Sequence, residues 1–240
     1  MSWYWDDGFY SQPTTAEPKQ KSEASRKSAE KKGKVLEPVV IRGRGIANSW
    51  WGQAWCANLE RYADFESRLE RGKRYVRTGA VIDLKMEKGR IRAKVQGSRK
   101  TPYKVEIRIS PLSEERCQEI IGKCGQRVEN LEKLLAGDFP VELKELFTER
   151  DGLFPSPQEI SFSCSCPDWA LMCKHVAAAL YGIGARLDEN PSLFFELRGI
   201  EVGRFIDVAI ANRLEVMLKN AGRKSARMIR DEDVLELFGV

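Results

Sequence analysis

Cys164, Cys166, Cys173 and His175 fall within "CSCPDWALMCKH", residues 164–175, and His175 is the sole histidine of the 240-residue chain. Three of the six cysteines share that stretch, spaced C-x-C-x6-C-x-H with the imidazole. Zinc in a structural site takes four soft or borderline ligands at the corners of a tetrahedron, and Cys3His is one of its ordinary sets. Residues i and i+2 of a strand or tight turn project to one side, so Cys164 and Cys166 can grip one edge of an ion. Pro167 and Asp168 turn the chain, and the apolar run Trp169, Ala170, Leu171, Met172 reverses it. Cys173 and His175 then close the opposite edge where a helix begins, and the helix dipole favours thiolate there. Zn²⁺ with three thiolates carries one net negative charge, which the neighbouring Lys174 is placed to offset.

Other chemistries fit the stretch less well. A disulfide across C-x-C closes a strained ring and is disfavoured in a reducing compartment. A catalytic Cys–His pair needs an oxyanion hole and leaves two thiols without a task. An iron–sulfur cluster is the nearest rival, but such clusters usually take four thiolates. With His175 on a metal, no imidazole remains for a general base or for activating a nucleophile. Four protein ligands also leave zinc no open position for water. The chain has no Walker A sequence, no GxGxxG after a strand and no HExxH. Its 35 acidic residues show no spacing that singles out a pair. The expectation is a non-enzymatic protein with no small-molecule substrate; a nuclease-like carboxylate cluster assembled by the fold is the remaining enzymatic option. Cys56, Cys117 and Cys124 read as packing residues, since "CQEIIGKC" is too wide for a redox CxxC.

The elements that would position the four ligands follow from periodicity. Asn48 and Ser49 are helix caps, and Trp51, Trp55, Leu59 and Tyr62 recur along one face of the helix that follows. Three alternating runs come next: Ile82, Leu84, Met86; Ile91, Ala93, Val95; and Tyr103, Val105, Ile107, Ile109. They predict a three-stranded antiparallel meander with one buried face. Residues 113–147 read as helical, interrupted at "AGDFP". "EISFSCSC" is a strand leading into the cysteines. Val176, Ala179, Leu180, Ile183 and Leu187 set a helix starting near His175. The fold class expected is α+β: an N-terminal helix and meander, then a mostly helical C-terminal part holding a small zinc finger. The boundaries are 1–37, a disordered arm tipped by Trp3, Tyr4, Trp5, Phe9 and Tyr10; 38–112, the basic helix–meander portion; 113–150, a helical linker; 151–190, the finger; and 191–240, a helical end.

Charge is uneven. The chain carries +5, yet residues 68–108 hold fourteen Lys and Arg against four acids, a local +10. Period two gathers Lys85, Arg90, Arg92, Lys94, Lys104 and Arg108 on the outer face of the meander. Arg71, Lys73, Arg74, Arg90, Arg92, Lys94, Arg99 and Lys100 are accordingly the candidate nucleic-acid contacts, DNA ahead of RNA. A merely solvated sheet face would look the same, because Lys and Arg also discourage edge pairing. No apolar run reaches membrane-spanning length, and "MSWYWDDGFY" lacks the features of a secretory signal. A cytoplasmic protein with reduced thiols and no membrane contact is expected.

CxC-x6-CxH followed by the small-residue helix "CKHVAAALYGIGA" resembles the SWIM-type zinc finger, named for Swi/Snf ATPases and MuDR transposases. Cys164, Cys166, Cys173 and His175 fall on that family's ligand positions, and Pro167, Asp168, Trp169 and Lys174 on its usual intervening types. "WWGQAW", "RGKRYVRTGAV" and "AKVQGSRKTPYKVEI" are similar to bacterial SWIM proteins encoded beside a Swi/Snf-type ATPase. The resemblance implies DNA or protein binding and an ATPase partner, and brings no reaction with it. Two roles stay open: a nucleic-acid-binding accessory, or a protein–protein adaptor without nucleic-acid contact, for which the aromatic tip of residues 1–12 would be a docking peptide.

Overall fold

Trp51, Trp55 and Leu59, spaced by four, form the buried face of the second helix in a computed structural model that describes residues 16–61, 66–125, 144–149 and 152–221. Helices run α1 Ala16–Glu30, α2 Trp50–Glu60 and α3 Glu66–Arg77, followed by strands β1 Val81–Glu87, β2 Arg90–Val95 and β3 Tyr103–Ile109. Then come α4 Glu114–Gly125, α5 Lys144–Thr148, β4 Ile160–Cys164, α6 Lys174–Glu189, α7 Leu193–Leu197 and α8 Val202–Ala221. Ser49 caps α2, its hydroxyl accepting from the Gly52 N–H at 3.0 Å, as the sequence predicts. Among the described residues, no helix is long and apolar enough to cross a membrane.

The fold is mixed helix and sheet, but the sheet has four antiparallel strands in the order β1-β2-β3-β4, not three. Ile160–Cys164 pairs with β3 from Ile109↔Ile160 to Val105↔Cys164. The cysteine-bearing strand is therefore an edge of the meander, and residues 151–190 share a sheet and core with 38–112. Helices lie on both sides of the sheet in sequence, so a helix-then-sheet order is also too simple. A pairing across fifty residues leaves no local signature, which is why periodicity missed it.

Two further expectations change. Residues 16–30, within the arm read as disordered, form α1. Lys, Glu, Ala and Ser suit a solvated helix as well as a disordered chain, and tertiary contacts decide between them. Here Ser22 is buried and the Ser25 hydroxyl donates to Gln96 Oε1 at 2.6 Å, docking α1 on the sheet. The second change is in β1, where a register shift lies between Val81↔Val95 and Asp83↔Lys94. This bulge releases Ile82 from the core phase of Leu84 and places it under α1 beside Lys94. The aromatic tip, Tyr62 and residues 126–143 lie outside the described residues.

The core is organised around α6. Eleven of its sixteen residues are buried, so it is apolar nearly all round. The Trp55 and Trp51 indoles donate to the Leu180 and Leu187 carbonyls at 3.0 and 3.1 Å, tying α2 to it. α3 crosses it at Gly72, where a Cβ would fall 2.5 Å from the Ala177 Cβ. The two backbones approach this closely because both residues are small.

Gly72→Ala should therefore force α3 from α6 and cost about 1–3 kcal/mol. Gly122, in α4 with nothing within 4 Å of its would-be Cβ, should tolerate or gain from alanine by roughly 0.5–1 kcal/mol. Chemical denaturation of both variants beside the parent checks the pair, and equal midpoints would refute the packing account.

Candidate metal centre

β4 ends at Cys164, and the chain turns sharply through Cys166 so that two sulfurs face one point. The Ser165 N–H donates to the Lys104 carbonyl at 3.0 Å, and the Lys104 N–H donates to Ser165 Oγ at 2.9 Å, fixing the turn to β3. Asp168 continues it: its carboxylate accepts from the Ala170 N–H at 3.3 Å and pairs with Arg68 on α3. Cys173 is the N-cap of α6, so His175 projects from the first turn of that helix. One ligand atom from each of Cys164, Cys166, Cys173 and His175 lies within 4.8 Å of all the others. The four residues expected to meet do meet.

His175 presents Nδ1 to the sulfurs, 3.9 Å from Sγ of both Cys164 and Cys173. Its ring is stacked on Tyr103 at 4.2 Å and touched edge-on by Tyr75 at 5.5 Å. Nε2 is buried, with no hydrogen-bond partner among the described residues, and lies against Gly97. A Cβ at position 97 would lie 2.9 Å from that nitrogen and 2.5 Å from the Tyr103 ring. Gly97 and Tyr103 thus set the imidazole, and neither was singled out from sequence. A glycine directly after a strand, where backbone approach is close, was the available signal.

The donor set fits a metal ion. Backbone N–H groups of Cys166, Asp168 and Val176 donate to the sulfurs of Cys164, Cys166 and Cys173 respectively, and each such bond favours thiolate. Without an ion the three thiols compete. A hydrogen bond from the Cys164 thiol, helped by His175 and the Val176 N–H, holds Cys173 down to about 4. Donation to Cys173 and burial push Cys164 up, and burial pushes Cys166 up. One thiolate and two thiols is the arrangement this reflects. Cys173 and His175 are buried while Cys164 and Cys166 are half-buried, so an ion would reach the site from the cysteine turn.

The other cysteines stand apart. Burial, then Glu60 and Asp188, pushes Cys56 up to about 12, and burial also raises Cys117. Both pack as expected; the side chain of Cys124 lies outside the described residues.

The candidate nucleic-acid residues divide into two groups. On the sheet, Arg90 pairs with Glu106 at 2.8 Å, Arg92 with Glu87, and Lys94 with the buried Asp83 at 2.5 Å. The Arg90 and Arg108 guanidiniums hold the Glu106 carboxyl below its ordinary range. Lys73 pairs with both Glu60 and Glu70 at 3.0 Å. On the outer sheet face Arg90, Arg92, Lys94 and Arg108 are thus paired, with Glu106 shared by Arg90 and Arg108, while Lys85 and Lys104 pair with no carboxylate among the described residues. Nearer the cysteines, Arg99 lies over Tyr103 at 5.5 Å and Lys174 over Tyr75 at 5.9 Å. Among the described residues no carboxylate pairs with Arg71, Arg99, Lys100 or Lys174. Arg74 faces Tyr75 from the same helix. Trp169 and Leu171, 84% and 70% exposed, form the tip of the loop between the second and third cysteines.

No family model matches the chain, and no solved structure matches it. It is 36% identical over 158 residues to an uncharacterized protein of Mycobacterium tuberculosis, Rv2102. That similarity spans 65% of this chain and 57% of the relative's length.

Two outcomes check the site. Gly97→Ala should displace His175 and weaken metal binding roughly 10- to 100-fold, measured by competition with a chromophoric chelator. Unchanged affinity would separate Gly97 from the centre. Loading the metal-free protein at pH 8 should release about two thiol protons per ion, from Cys164 and Cys166, because Cys173 is already ionised. Affinity should then weaken as pH falls; a pH-independent affinity contradicts the proton assignment.

Proposed function

We propose that this protein is a zinc-stapled, non-enzymatic nucleic-acid-binding module, working as a cytosolic accessory to a Swi/Snf-type ATPase. Three thiolates and one imidazole within tetrahedral reach suit zinc better than harder ions. With all four positions filled by protein, the ion clamps β4 to α6 and contributes folding energy rather than chemistry. The SWIM-type ligand spacing supports the accessory role.

The observation that carries nucleic-acid binding is where the uncompensated charge sits. Arg90, Arg92 and Lys94 meet carboxylates on the sheet, whereas Arg71, Arg99, Lys100 and Lys174 have none among the described residues, with Arg99 lying over Tyr103 and Lys174 over Tyr75 beside the ligands. Surface pairs of the first kind have little left to offer a phosphate. Full charges of the second kind, and an exposed ring such as that of Trp169, are the features that suit a polyanion presenting flat bases. The contact surface is thereby moved from Arg90, Arg92 and Lys94 to the rim of the finger.

A second reading, the protein adaptor, has its own observation. Ile206, Ile210, Leu214, Met217 and Leu218 recur along α8 and are all at least 40% exposed, an apolar stripe at helical spacing.

Retention of DNA at low salt should drop about tenfold or more in Arg99→Glu/Lys100→Glu and by less than about threefold in Arg90→Glu/Arg92→Glu. The reverse ranking would return the contact to the sheet face. No retention by the parent, with an ATPase from native lysate lost only on Leu214→Glu, would establish the adaptor instead.

A further inference from the structure

α1 stands off the sheet and leaves a cleft of about 730 Å³ between itself and the loop joining β2 to β3. Its walls carry Lys32 and Lys34 from the end of α1 and just beyond, and Arg99, Lys100 and Lys104 from the opposite side. No carboxylate lines it among the described residues. None of those five cations pairs with a carboxylate there either. Concentrating like charge in a concave place costs self-repulsion, and a groove with low-dielectric walls focuses that field on whatever enters.

The floor is of the opposite character. Leu36 and Pro102, each partly exposed, line it, over the buried Ile82. A cationic rim over an apolar floor calls for a ligand with charge on one edge and flat apolar faces on the other. Duplex DNA shows only its charged backbone to a surface and keeps base faces stacked inside; a single strand has its bases free to turn. A second hollow of about 520 Å³ on the outer sheet face shares Lys94 and Lys104 with it but is lined also by Asp83 and Glu106, so the carboxylate-free part is the cleft beside α1.

We propose that this cleft is the seat of a single-stranded polynucleotide, with phosphates on Lys32, Lys34, Lys100 and Lys104 and bases on the Leu36–Pro102 floor. Arg99 both lines the cleft and lies on Tyr103, whose ring stacks on His175, so the metal centre braces one wall. α1 is the other wall, held by the Ser25–Gln96 hydrogen bond. The inference rests on the nucleic-acid reading above and adds the class of strand and its place.

Fluorescence anisotropy of the full chain tests it with four short probes of equal length: oligothymidylate, oligouridylate, an abasic strand of equal phosphate count, and a duplex. Oligothymidylate or oligouridylate should bind about tenfold tighter than both the abasic strand and the duplex, and whichever of the two leads identifies DNA or RNA. Lys34→Glu, on the α1 side and away from the metal ligands, should lose about tenfold on the single strand, with unchanged metal content as the folding control. Removing one lysine–phosphate pair should also flatten the logarithmic salt dependence by about 0.7. If the abasic strand or the duplex binds as tightly as the base-bearing strand, or Lys34→Glu binds normally, the cleft is not the seat, and nucleic-acid binding at the finger rim survives. If no probe binds, both readings fall.

Discussion

How close the first turn of α6 can come to β3 and β4 governs the rest of the structure. Cys173 and His175 lie at that turn, Cys164 ends β4 and Cys166 follows it, so a shift between helix and sheet would pull the ligand set apart. The approach is permitted by absences. Gly97 leaves room for the imidazole, Gly72 lets α3 press on Ala177, and Gly184 lies against Cys56. Tyr103 then fills the remaining space as a stacked plate at 4.2 Å from His175. The ligand set so assembled could hold a metal ion, whose binding would favour the thiolate form of all three cysteines.

Local chemistry was legible and long-range pairing was not. Cys164, Cys166, Cys173 and His175 were identifiable because four metal-ligand types fall within twelve residues, and i and i+2 share a side in extended backbone such as the end of β4 and the Cys173 cap. The α2 cap at Ser49 and the alternation of Ile91, Ala93 and Val95 are likewise properties of a few consecutive residues. Pairing of Cys164 with Val105 is not, and neither is the bulge at Val81–Asp83, which breaks no sequence rule while turning Ile82 over. α1 was missed for another reason: a Lys/Glu/Ala/Ser segment is helical or not according to what Ser22 and Ser25 find to touch.

The same distinction runs through the charges. Period two correctly put Arg90, Arg92 and Lys94 on one face, but it is silent on cross-strand neighbours. Register supplies those: Glu87 stands opposite Arg90, Arg92 opposite Glu106, and Asp83 opposite Lys94. Arg90, Arg92 and Lys94 receive partners this way, whereas Lys104 stands opposite Lys94, and loop residues such as Lys34, Arg99 and Lys100 have no ladder to bring an acid to them. The local excess of positive charge therefore survives in the loops and at Lys104.

Compensation of the metal centre does not account for that excess. A divalent ion with three thiolates and a neutral imidazole carries one negative charge, and Lys174, over Tyr75 beside the ligands, suffices to balance it. Arg71, Arg99, Lys100, Lys32 and Lys34 remain after that balance is struck. Cations kept at close quarters repel one another in the folded state, and salt screens them only partly within a Debye length of about 8 Å. Of these, Lys32, Lys34, Arg99 and Lys100 lie on the two walls of one cleft, so their repulsion is concentrated in a concave place.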